Sequence, residues 1–358
     1  MKAKKLFAIL AIVSGVFMAG CQKDEFVEIV GECPIVVSTN PDQGATNVPI
    51  NRIISASFNT RMNPATINQV SFTLHGPTQV EGVVTYADST AFFTPASNLA
   101  PNTDYTARIS TSVKEVRGNA LQADYVWTFR TNATVAPPLV NLNTVAQFGI
   151  IAGVGISNNA GFSEIHDMDI GISPGVRSSI TGFPPGLVLN GAMYASDDIA
   201  PLGIPAMLIQ AKQDLTLAYQ SAKTANSPAH TTVAGDLGGT TLAPGIYRST
   251  STLLIQSGDL TLDAQGDADA IWIFQIASNF TTVGGAGGNI ILTGGAQAKN
   301  VIWQVGSSAT IGDFTSFKGN VLALTDITMN SGATAEGRML ASNGAVVLTS
   351  DNMITKPK

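Results

Sequence analysis

Threonine is the residue whose spacing suggests chemistry. Thr261, Thr282, Thr310 and Thr328 each stand one place before an apolar residue of a short strand: Leu262, Val283, Ile311 and Met329. Side chains alternate between the two faces of a strand. If the apolar partners turn inward, the four threonines project outward, roughly 4.8 Å apart where strands are sheet neighbours. The product is a level file of uncharged hydroxyl and methyl groups. Gly284, Gly312 and Asn330 follow two places on, with Thr349 further along, and complete the candidate surface. Asp263 interrupts the pattern in the first row, and Asp313 sits at the edge of another. A competing file, Thr293, Thr315, Ser316 and Thr334, lies on the third strand segments. Thr is also a good strand former, so a neutral exposed strand accounts equally well for any single member of either file.

Other reactive side chains form no convincing constellation. Parallel β-helices that cleave polysaccharides need paired carboxylates or a metal. Asp259, Asp263, Asp267 and Asp269 cluster near one corner and could hold calcium, but the Gly-rich nonapeptide of calcium solenoids is missing and they read as solvated turns. His75, His166 and His230 lie far apart, and His166 beside Asp167 and Asp169 reads as a turn. H-E-x-x-H and P-loop patterns do not occur. Two cysteines, Cys21 and Cys33, make neither a zinc site nor a disulfide framework. No enzyme, metal or cofactor is expected.

The elements that must position the threonines come in rows. Apolar strands at 246–249, 271–275, 301–305, 321–324 and 339–342 are each followed by a second short strand, at 260–263, 281–284, 309–312, 327–330 and 347–350. The period is irregular, about 17 to 30 residues, with Gly at the corners, as expected for a solenoid whose units bury a face only by stacking. The units read as coils of a β-helix.

The totals agree. At 358 residues two domains are expected; 44% hydrophobic and 12% charged residues with 35 Gly suit an all-β, turn-rich exported chain. The net charge of −6 and the lack of a basic patch argue against nucleic acid. Residues 1–21 read as a leader: Lys2, Lys4 and Lys5, then an apolar run from Leu6 to Met18 too short to span a membrane. Its end, Met18-Ala19-Gly20-Cys21, resembles a bacterial lipobox, with Met18 where Leu is usual. That resemblance implies a lipidated Cys21 and a membrane contact through the lipid alone. Gln22-Lys23-Asp24-Glu25 resembles the tag that sends some Gram-negative lipoproteins to the outer face of the cell, so an outer-membrane, surface-exposed lipoprotein is expected, with a secreted protein behind an ordinary signal peptide as the alternative. Residues 22–33 would be the tether.

Residues 34–131 carry seven short apolar or alternating runs between turn signals, a β-sandwich pattern. The segment 99–105 looks like a turn into a strand bearing a tyrosine corner. Pro41, Gly44-Ala45-Thr46-Asn47-Val48-Pro49, Phe58-Asn59, Met62-Asn63-Pro64, Gly118-Asn119-Ala120-Leu121 and Trp127-Thr128-Phe129 together resemble bacterial Ig-like modules. His75 and Trp127 could serve a ligand but read as core or surface filling. Residues 132–138 form a linker stiffened by two prolines.

The second domain, 139–358, opens with Gly-interrupted strands. A helix over about 204–224 follows, with Pro205 in its first turn and an apolar stripe at Ile204, Leu208, Ala211, Leu215, Ala218 and Ala222. Gln210, Lys212, Gln213, Asp214 and Lys223 lie on the opposite face. About 20 residues at 1.5 Å make a rod of roughly 30 Å, the height of about six coils, so the helix is expected to run beside the stack.

A first strand segment, then a long helix, then Gly-rich coils: this order resembles the microbial ice-binding proteins built on a discontinuous β-solenoid. Phe148-Gly149-Ile150-Ile151-Ala152-Gly153, Asp169-Ile170-Gly171-Ile172-Ser173-Pro174-Gly175 and Ala234-Gly235-Asp236-Leu237-Gly238-Gly239 are similar to that family's motifs. So are Trp303-Gln304-Val305-Gly306, Gly319-Asn320-Val321-Leu322-Ala323 and Gly337-Arg338-Met339-Leu340-Ala341. Some relatives carry a capping insertion before the helix; Leu187 to Tyr194 leaves little room for one. The resemblance implies a mainly β chain, an Ig-like sandwich plus a right-handed solenoid with one helix alongside. It also implies adsorption of a monomer to an ice crystal surface through one solenoid face. A polysaccharide-binding adhesin is the alternative.

Overall fold

The computed structural model describes residues 33–285 and 287–358; the leader, with Cys21, lies outside them. The first module is a sandwich of two four-stranded sheets. One runs Val36–Asn40, Ile54–Phe58, Thr90–Pro95, Gly82–Ala87 in spatial order; the other runs Ala45–Val48, Tyr125–Thr131, Asp104–Ile109, Phe72–His75. Alternation builds it: Ile54, Ala56 and Phe58 face in while Ser55 and Ser57 face out. Phe72, Phe93, Trp127 and Phe129 fill the space between the sheets, with the Phe72 ring 5.7 Å from Phe93 and 5.9 Å from Trp127. The tyrosine corner is present, as Tyr105 Oη accepts the Ala100 N–H at 2.8 Å. Ala45–Val48 is a strand that the seven-run reading lacks. It pairs parallel to Tyr125–Thr131 at a sheet edge with Val48 as its one buried anchor, too little burial to mark it in the sequence.

The second module is a three-sided solenoid. One coil shows the plan: Gly245–Ser249 on the first face, Leu253–Ile255 on the second, Leu260–Asp263 on the third. Every pairing between its coils is parallel, as a winding chain requires. The winding is discontinuous. Strands from Phe148–Ala152 to Met193–Ala195 form two coils at one end. The helix Ile204–Thr224 carries the chain to the far end. From Thr231–Thr232 the coils wind back, until Ala345–Ser350 pairs with Gly155–Ala160 and Met353–Thr355 with Glu164–His166. Eight strands on the second face make a stack roughly 34 Å tall, and the 21-residue helix is about 31 Å long.

The interior is aromatic where coils are widest. Phe274 stacks on Trp303 with centroids 3.9 Å apart and on Tyr247 at 5.4 Å. Trp303 Nε1 donates to the Lys318 carbonyl at 3.0 Å. At that corner only Gly fits: Gly319 has φ +113°, and a Cβ there would meet Trp303 Nε1 at 2.7 Å. Around it the strand Ser316–Ala323 bends, its first half on the third face and its second half on the first.

The helix covers the first face. Ile204, Leu208, Ala211, Leu215, Ala218 and Ala222 bury against Ile151, Ile246, Ile273, Ile302, Leu322 and Leu340. Two polar residues assigned to the outer side depart from expectation. Asp214 is buried, because the strap that leads into the solenoid crosses it and Thr144 donates through both N–H (3.1 Å) and Oγ1 (2.6 Å). Lys212 lies half-buried with Nζ on the carbonyls of Ala341 and Ser342; burial pulls its pKa down to about 8.

Candidate functional site

Three faces are open to comparison, and the first is closed by the helix. The third is charged. Its outward residues include Asp263, Glu164 with His166 at 2.8 Å, and Lys318 paired with Glu336 at 3.1 Å. The second face differs. Its strands, in spatial order from the far end, are Gly235–Asp236, Leu253–Ile255, Phe280–Thr282, Ala309–Ile311, Ile327–Met329, Ala345–Ser350, Gly155–Ala160 and Ile180–Thr181.

Inward residues hold this sheet rigid: Leu253, Ile255, Phe280, Ala309, Ile311, Ile327, Met329, Val346, Leu348 and Ile156 are all buried in one core. The outward file is then Asp236, Leu254, Thr281, Thr310, Thr328, Val347, Ser157, Thr181, each paired to the next. No pairing along it carries a register shift, so the file is straight. Ionisable groups stand only at its margins among the described residues. Asp236 lies at the end strand and Asp326 at the rim, where its Oδ1 accepts the Ala345 N–H at 2.8 Å. Asp236 Oδ1 accepts the N–H groups of Gln256 (2.7 Å) and Gly238 (2.8 Å), and Oδ2 that of Ser257 (2.8 Å). Bonding to Ser257 leads in bringing its carboxyl down to about 2.

The expected residues divide. Thr310 and Thr328 are neighbours in the central file. Asn330 and Thr349 follow Met329 and Leu348, themselves paired, and form a second row with Gly312. Gly312 itself is buried: a Cβ there would meet Gly284 N at 2.4 Å and the Thr282 carbonyl at 2.5 Å. Gly284 is bound by the same close approach, its Cβ position 1.7 Å from the Asp313 carbonyl oxygen. These two glycines let adjacent corners pack, and neither offers a side chain to a ligand.

Two threonines depart from the expected file. Thr282 points inward and is 1% exposed; its Oγ1 accepts the Gly312 N–H at 2.8 Å and lies 3.2 Å from Thr315 Oγ1. The outward residue is Thr281, paired with Thr310. Phe280 decides this. A one-residue slip exchanges the faces of a strand, and the coil interior takes Phe280 with Thr282 while leaving Val283 outside. Thr261 is on the third face, between Thr241 and Ile291. The second-face strand of its coil is Leu253–Ile255, so Leu254 stands where a threonine was expected. Asp263, on the third face, therefore leaves the threonine wall uninterrupted. The competing file also splits: Thr315 is buried, whereas Ser316 and Thr334 pair on the charged third face. Thr281, Leu254, Val347 and Ser157 are what the spacing missed; the alignment of Phe280 with Ala309 and Ile327 was the available signal.

The carboxylates at the Asp259–Asp269 corner have separate partners. Asp259 accepts from Asn289, Asp263 from the Gln265 N–H, and Asp267 and Asp269 face Arg52 of the first module. Among the described residues no three His, Cys, Asp or Glu side chains group as a metal site. Cys33 is exposed and unpaired to sulfur.

Comparison with known proteins ties this geometry to a family. The profile described as Ice-binding-like matches residues 150–354, more than half of the chain. The chain belongs to the ice-binding family. A bacterial Ig-like domain profile matches residues 31–131 ahead of it. Ice-binding protein 1 of Shewanella frigidimarina is 33% identical over 357 residues, covering 91% of this chain but 40% of its own length. The ice-binding protein of a Nostoc species is 41% identical over 236 residues, 64% of this chain and 80% of the relative. Among solved structures, an ice-binding protein from an Antarctic biological consortium shares 44% identity at a TM-score of 0.56, covering 63% of this chain and 94% of that one. The Shewanella frigidimarina domain aligns in full with 63% of this chain, at 34% identity and a TM-score of 0.59. The family assignment thus rests on the solenoid, and the second face is its flat, nearly uncharged wall.

Proposed function

We propose that the protein adsorbs to ice through the second face, with Thr281, Thr310 and Thr328 as its centre and Asn330, Thr349, Leu254, Val347 and Ser157 around them. The observation that carries this is the straight, in-register file of neutral side chains from Leu254 to Thr181, on a sheet whose central strands bury their inward residues in the core. Rigidity matters because a surface that loses little conformational freedom on binding keeps more of its interaction energy. Each threonine offers a hydroxyl that donates and accepts beside a methyl that hydrates weakly, whereas carboxylates and amines hold their own water strongly. The third face, with its ion pairs, meets that requirement poorly. Adsorption of this kind needs no catalytic group, no cofactor and no second subunit, and it would slow ice growth and recrystallisation.

The test uses purified chain in cold solution, scoring crystal shaping and recrystallisation. Wild type is expected to act at micromolar concentration; Thr310→Tyr and Thr328→Tyr, on a half-exposed file, should lose activity with little change in melting temperature. Normal ice growth in the presence of wild type, with binding to polysaccharide instead, would sink the reading in favour of an adhesin. Attachment to the cell surface by lipid on Cys21 is the second part of the proposal. Its support is the Met18-Ala19-Gly20-Cys21 pattern, and Cys21→Ser should abolish incorporation of labelled fatty acid.

A further inference from the structure

The two modules meet at one corner of the solenoid through polar groups that the proposed ice contact does not use. Arg52 is nearly enclosed, with 12% of its side chain exposed, and ion-pairs with Asp267, itself 16% exposed; its second nitrogen lies 3.3 Å from Asp269. Asn40 Nδ2 donates to the same Asp269, and Asn47 Nδ2 to the Gln265 carbonyl at 3.4 Å. Burial pushes the Asp267 carboxyl up, against the pull of Arg52, as expected of a contact withdrawn from water. The linker adds to the joint. Asn51 closes two hydrogen bonds on Ala136, Nδ2 to the carbonyl (3.0 Å) and Oδ1 from the N–H (2.8 Å), while the Ile50 N–H donates to the Thr134 carbonyl at 2.9 Å. Pro137 is buried. The chain between the modules is thus laid down on the first of them.

The position of this joint is specific. Residues 264–271 join the third-face strand Leu260–Asp263 to the first-face strand Trp272–Ile276. In a three-sided coil, that vertex lies opposite the second face.

We infer that Arg52, Asp267 and Asp269 are an interdomain clamp that holds the Ig-like module on the vertex opposite the threonine wall, so that the chain presents that wall outward as one rigid body. The orienting role rests on the ice-contact reading; the clamp itself does not. A removed guanidinium would leave two adjacent carboxylates in a partly buried seam, and breaking one side of a buried pair is strongly destabilising for the contact. Calcium at these aspartates is disfavoured by the same geometry, since the guanidinium already occupies the place of the cation.

The experiment measures distances in the full chain by electron spin resonance. Nitroxides go on Val83→Cys and Asn343→Cys, both exposed, in a Cys21→Ser, Cys33→Ser background. Wild type should give one narrow distribution, Arg52→Glu a broad one, and Arg52→Glu with Asp267→Arg a narrow one again. A broad distribution for wild type, or an unchanged narrow one for Arg52→Glu, overturns the clamp. A parallel assay separates the two readings. In free solution Arg52→Glu should shape ice like wild type, whereas beads bearing the chain by its N-terminus should lose adhesion to ice. Loss of ice shaping by wild type would defeat the ice-contact reading and leave the distance result intact.

Discussion

Adjacent threonines on one strand should respond in opposite ways. Thr281 is half-exposed on the second face; Thr282 is 1% exposed in the coil interior. Replacing Thr282 with Val keeps the shape but removes the oxygen that accepts the buried Gly312 N–H at 2.8 Å and meets Thr315 at 3.2 Å. A buried donor left without its acceptor costs about 1–3 kcal/mol. For a module of this size each kcal/mol lowers the melting temperature by about 2–4 °C. Calorimetry of Thr282→Val should therefore show a clear drop, while ice recrystallisation inhibition measured well below the transition stays near wild type. Thr281→Tyr should do the reverse: the ring projects from the wall, the melting temperature holds within about 0.5 kcal/mol equivalent, and inhibition is lost. If Thr282→Val loses ice activity at full stability, or Thr281→Tyr unfolds the module with Thr282→Val neutral, the strand register described above is wrong.

Other outcomes follow from the same contacts. Gly312→Ala should destabilise the solenoid by more than Thr282→Val, because its methyl would land 2.4 Å from Gly284 N, against backbone that cannot rotate away; thermal denaturation checks this. Acid should loosen the far end first. The Asp236 carboxyl titrates in the fold at about 2, below the usual 3.8, so its contribution is complete above about pH 4 and fades as pH falls toward 2. Protection of the Gln256 and Ser257 amides, whose N–H groups it holds, should fall relative to their intrinsic exchange rates across that window ahead of global unfolding, and Asp236→Asn should remove that pH dependence.

The local patterns that sequence carries are those set by neighbours along the chain. The helix was legible because its stripe, from Ile204 to Ala222, repeats at threes and fours and so must lie on one side. The Ig-like sandwich was legible from alternation and its turns, and the solenoid from rows of apolar strands with Gly between. Thr310 and Thr328 were legible because Ile311 and Met329 do turn into the core, so that alternation puts the threonine before each of them outside. Asp214 was not, since what buries it is Thr144, far away in the chain.

What tertiary structure decided was register between coils. Rows of unequal length give no fixed frame for matching one strand to the next, so Thr261 looked like a partner of Thr310 although it lies on another face. Spacing alone puts Thr282 outward, whereas the packing of Phe280 in the core turns the strand by one residue and buries it. A solenoid face is made of residues a whole coil or more apart in the chain, joined by interior volume and backbone pairing, not by anything local. The same holds at the joint: Arg52 and Asp267 become a pair because a docked module and a coil corner bring them together, with no sequence signal linking them.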